Sequence, residues 1–109
     1  MARNDASLPK DTSGDPIPCL EPTSIMDSQT TSGTSAGAQF PAGMEEGDII
    51  RVACTAACYL VMGTGTQTAT TSNTLLPAGV EYFRVPNNAT HYAVLQVAAT
   101  GAFHIEKMR

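Results

Sequence analysis

The chain has 109 residues, enough for at most one ordinary domain, and its net charge of −4 argues against nucleic acid as a partner. At 42% hydrophobic residues it is too apolar for complete disorder, although many of those residues are Ala and bury little area. No stretch approaches the roughly 18 apolar residues that cross a bilayer, and the opening MARNDASLPKDTSGD lacks the apolar centre of a secretory signal. The expectation is a soluble protein made in a cytoplasm.

The composition changes near Gly47. Residues 1–48 hold eight acidic and two basic residues, whereas residues 49–109 hold two acidic and four basic ones. Residues 1–47 therefore read as an extended, acidic arm rich in Pro, Gly, Ser and Thr. Pro9, Pro16, Pro18, Pro22 and Pro41 each fix φ and remove a backbone donor, which excludes a long helix or a central strand. SQTTSGTSAGAQ, residues 28–39, has the composition of a linker. Large apolar side chains occur singly, too sparse to offset an ordering entropy of about 1–2 kcal/mol per residue. Two readings fit such a segment: a solvated tail, or an arm that orders when it drapes over a partner. In the second case Ile17, Leu20, Ile25, Met26 and Phe40 are the interface anchors, chosen for their apolarity alone.

Residues 48–109 read as strands. DIIRVACT alternates, with Ile50, Val52 and Cys54 on one face and Ile49, Arg51 and Ala53 on the other. CYLVMG is a continuous apolar run, as in a strand covered on both faces. GVEYFRVP sets Val80, Tyr82 and Arg84 against Glu81, Phe83 and Val85 until Pro86 ends it. HYAVLQVA and AFHIEKM alternate in the same way. Turn signals separate these runs at Gly63–Gly65, Leu76–Gly79, Pro86–Asn88 and Thr100–Gly101. Short strands at intervals of about ten residues predict an all-β sandwich or small barrel. About sixty residues of Ala- and Val-rich core is a marginal folding unit, so a homo-oligomer or a docked subunit is expected.

Reactive groups are sparse. The three cysteines, Cys19, Cys54 and Cys58, are too few and too oddly spaced for a disulfide framework or a zinc site, and buried thiols are the expected reading. GTGTQTATTSNT, residues 63–74, has glycines but no Lys, so it is read as a hairpin loop and not a phosphate cradle. No GxSxG elbow is present. His91 and His104 lie in strands with no reason to meet a nucleophile, and Glu45-Glu46 sits in the arm. Asn88-Ala-Thr90 matches a glycosylation sequon, read as chance without a signal peptide. The sequence thus nominates no catalytic residue, cofactor or metal, and the expectation is a non-enzymatic protein with neither nucleic acid nor membrane as partner.

TLLPAGVEYFRVP (74–86) and HYAVLQVAATGAFHIEKM (91–108), preceded by VACTAACYLVMGTGTQTATT, resemble short structural proteins of tailed bacteriophages. In these a Leu-Pro-Ala-Gly turn leads into an aromatic strand, then a Val/Ala-rich strand, a Thr-Gly turn and a final strand. The resemblance spans about residues 48–109. It implies a β-sandwich or jelly-roll-like body over 48–109 and a virion component assembled in a host cytoplasm. Its partner would be the major capsid protein, which a capsid decoration or cement protein, commonly a trimer, clamps and stabilises. A head–tail connector or tail component is the alternative within that class, and a small carbohydrate-binding module is the alternative outside it.

Overall fold

The computed structural model describes residues 20–109. Among them run eight strands: β1 (Pro22–Thr30), β2 (Ala36–Gln39), β3 (Ile49–Cys54), β4 (Cys58–Gly63), β5 (Thr74–Leu76), β6 (Gly79–Arg84), β7 (His91–Gln96) and β8 (Ala102–Met108). They form two four-stranded antiparallel sheets, ordered β1-β8-β3-β6 and β2-β7-β4-β5. The chain changes sheet at every connection except β4–β5, which stays within the second sheet. Eight strands in this order make a jelly-roll sandwich.

The alternation read in the sequence sets the inner layer. Ile50, Val52 and Cys54 are buried, and Ile49, Arg51 and Ala53 face outward and are only half covered. In register, Val52 lies opposite Ile105 and Cys54 opposite Phe103, so β8 extends the same inner row. From the second sheet, Tyr92 and Val94 pair with Met62 and Leu60 and close the core from the other side. Burying each large side chain contributes about 1.5–3 kcal/mol.

The structure differs from the expected division at residue 48. Strands β1 and β2 come from the stretch read as an arm, and each is an edge strand of one sheet. SQTTSGTSAGAQ holds the end of β1, a bend and the whole of β2. The reason is chemical. β1 alternates in burial but not in hydrophobicity: its inward positions are Thr23, Ile25, Asp27 and Gln29. Pro22 is tolerated because it is the first residue of an edge strand. Gly37 allows β2 to lie close on β7, since a Cβ there would collide with the Tyr92 carbonyl and with Ala93.

The connection 40–48 belongs to the sandwich as well. Phe40 and Met44 are buried in the core. Lys107, at the end of the inner row of β8, donates to the Gly43 carbonyl at 3.0 Å and pairs with Asp48 Oδ2 at 3.3 Å. Gly47 enters the strand through a bulge: its N–H donates to Val85 O while the Val85 N–H donates to Asp48 O, so two residues oppose one. Its φ of +84° is a conformation that glycine adopts without a steric penalty.

Candidate functional site

The five anchors nominated from the sequence are not brought together. Ile17 lies outside the described residues. Leu20 is exposed just ahead of β1, and Met26 is exposed on the outer face of the first sheet. Ile25 is half-buried against the core. Phe40 is corrected from a partner anchor to a core residue: it is 7% exposed, and its ring stacks on Tyr92 with centroids 5.9 Å apart. An aromatic ring that already has an apolar seat within its own domain gains little by leaving it.

Other exposed apolar side chains lie on either side of the two-residue link between β5 and β6, Leu75 on the outer face of the second sheet and Val80 and Tyr82 on that of the first. Leu75 is 57%, Val80 45% and Tyr82 52% exposed. Strands β5 and β6 are the edges of the two sheets and follow one another in the chain, so they share one flank of the sandwich. Val85 exchanges its backbone bonds with Gly47 and Asp48. In the antiparallel alternation that follows, Phe83 and Glu81 also turn their amides toward β3, where they pair with Ile50 and Val52. The N–H and C=O groups of Val80, Tyr82 and Arg84 therefore face the open side of β6.

This edge is guarded on one side only. Glu81 shares the inner face with Val52, yet it is exposed, because the three-residue β5 is too short to cover it. An inward-pointing charge of this kind discourages indiscriminate strand pairing. The outer side of β6 carries Val80 and Tyr82, with Tyr82 opposite Arg51 and Arg51 opposite Glu106 on β8. Arg84 is engaged locally, donating to Gly47 O at 2.7 Å. Sequence reading found the alternation of GVEYFRVP but not its position at an edge, which depends on which strands flank it.

The groups with chemical potential are dispersed. Cys54 and Cys58 are buried. Burial, with Cys54 alongside, pushes the Cys58 thiol up to about 12, so it is protonated and unreactive at neutral pH. His104 lies on the outer face of the first sheet, on the side away from Cys54. His91 pairs with Gly63, five residues along β4 from Cys58, roughly 16 Å at strand spacing. Among the described residues no group of three His, Cys, Asp or Glu side chains is placed to hold a metal. An open depression of about 770 Å³, lined by Phe40, Met44, Glu45, Glu46, Thr64 and Asn88, has Glu46 Oε1 engaged by the Asn88 N–H at 2.7 Å. No helix among the described residues is long and apolar enough to cross a membrane.

Compared with protein-family models, with curated proteins and with solved structures, the chain matches none.

Proposed function

We propose that this chain is a structural component of a virion, a capsid decoration or cement protein that binds the major capsid shell through an exposed flank of its sandwich. The observation that carries the reading is the β6 edge. Three backbone positions face its open side, and beside them Val80 and Tyr82 present large apolar area on one side. A strand edge with these properties suits the addition of a partner's strand, in which backbone bonds give affinity and alternate side chains give specificity. The resemblance of residues 48–109 to small phage structural proteins supports the identity of that partner. Jelly rolls recur in viral capsid and lectin domains, which is support by analogy only.

In this reading the chain acts by covering surface. Its Val80 and Tyr82 are buried at the interface, and the particle gains stability from the joined sheet. The subunit is a homo-oligomer, with a trimer favoured, and it is assembled onto shells in a host cytoplasm.

The test is to purify virus particles from the cells that make this chain and to identify their proteins by mass spectrometry. The chain is expected in the particles at a stoichiometry matching capsomer sites, and a reconstruction is expected to place β6 against the shell protein. A ring of fixed copy number at one vertex would move the assignment to a connector. Particles that lack the chain altogether would overturn the proposal.

A further inference from the structure

The arch between β3 and β4 closes on a pair of thiols. Cys54 ends β3 in the first sheet and Cys58 opens β4 in the second, so the three residues between them carry the chain from one sheet to the other. Both side chains point inward: Cys54 pairs with Phe103 and Cys58 with Gln96, and both cysteines are buried. Both cysteines converge on the end of β5: Cys58 lies opposite Leu76, and Cys54 reaches Pro77, the next residue in the chain. Cys54 Sγ contacts the Pro77 carbonyl at 3.3 Å as a donor.

We propose that Cys54 and Cys58 are an oxidisable pair that forms a disulfide joining the two sheets. The end of β5 lies beside the pair, with Leu76 opposite Cys58 and the Pro77 carbonyl against Cys54. β5 has three residues and one hydrogen-bonded neighbour, β4, and Pro77 and Ala78 after it are exposed. Short edge segments with few buried contacts open at low free-energy cost, and such opening admits an oxidant to an otherwise inert site. The reaction is thiol–disulfide exchange with a small-molecule disulfide such as oxidised glutathione. One cysteine, as thiolate, attacks the glutathione disulfide and releases one glutathione thiol. The second cysteine then displaces the other glutathione from the mixed disulfide. The two protein thiols lose two electrons and two protons, and two glutathione thiols are formed. A chain made in a reducing compartment holds the pair as thiols and acquires the link on passing to an oxidising one. The cross-link removes conformations from the unfolded chain and ties β3 to β4, so it stabilises the fold.

The experiment is to incubate the full native chain with excess oxidised glutathione, alkylate the remaining thiols after unfolding, and map the linkage by peptide mass. The expected product is a Cys54–Cys58 peptide lighter by two hydrogens, formed faster in urea below the unfolding transition, with the oxidised chain unfolding at a higher urea midpoint. Cys54→Ser and Cys58→Ser should each abolish the product. Quantitative alkylation at both positions, a stable glutathione adduct at either, or a link that lowers the midpoint would overturn the proposal.

Discussion

The Tyr92 hydroxyl donates to Asp27 Oδ2 at 2.7 Å and accepts from Gln29 Nε2 at 3.2 Å, which joins the interior of one sheet to an edge strand of the other. The Tyr92 ring lies between Phe40 at 5.9 Å and Phe103 at 5.5 Å. One residue thus satisfies a half-buried carboxylate while filling the centre of the apolar core. It also explains why β1 can place Asp27 and Gln29 on its inner face: their polar atoms have a partner there, so the desolvation cost of burying them is met.

Removing that hydroxyl leaves Asp27 without its shortest hydrogen bond. Tyr92→Phe keeps the ring and its stacking, so the loss is confined to the polar contact. The variant is expected to lose about 1 kcal/mol, the typical net worth of one hydrogen bond, because the carboxylate is only half-buried. Urea unfolding followed by circular dichroism measures this, and a change in midpoint without a change in slope is the expected form.

Stability should fall in alkali. Burial, then the hydrogen bond to Asp27, holds the Tyr92 phenol above its ordinary value of 10.0, and burial beside Cys54 raises Cys58 from 9.0 to about 12. The folded chain therefore keeps protons that the unfolded chain gives up. Their contribution is fully present below about pH 9 and is lost progressively as pH rises beyond that. Urea midpoints taken at about pH 8 and about pH 11 should drop, and the drop should be smaller in Tyr92→Phe and in Cys58→Ala.

Residues 20–47 are needed for folding. They supply β1, β2, Phe40 and Met44, so a chain beginning at residue 48 loses one edge strand from each sheet and two core side chains. Such a fragment is expected to show neither a cooperative unfolding transition nor dispersed amide signals. Within the full chain, Phe40→Ala should cost about 3–5 kcal/mol. The exposed Met26→Ala should stay within about 0.5 kcal/mol. The contrast between those two residues tests the corrected division directly.

On the open flank, function and stability should separate. Tyr82→Asp places a charge on an outward, half-exposed position of β6, and its effect on urea unfolding is expected within about 0.5 kcal/mol. The same change should abolish incorporation into particles, because an aspartate buried at a joined sheet edge is left unpaired. Wild-type incorporation by this variant would remove β6 from the interface.

Much of the second half was legible because its chemistry repeats with the period of a strand. Ile50, Val52 and Cys54 alternate with partly covered neighbours, and Phe103 and Ile105 do the same, so local sequence alone decided which faces turn inward. The all-β class followed from those runs and from the turn residues between them. The acidic first half hid two strands, because Asp27, Gln29, Ala36 and Ala38 take inward positions without being large and apolar. Their inward placement depends on Tyr92, on the close approach at Gly37 and on hydrogen bonding to β7 and β8, partners more than fifty residues away. Whether β6 is an edge or a centre, and whether Cys54 meets Cys58, likewise depends on strand order. Side-chain periodicity is set residue by residue, whereas strand neighbours are set by the global packing of two sheets, and that part only the tertiary structure decided.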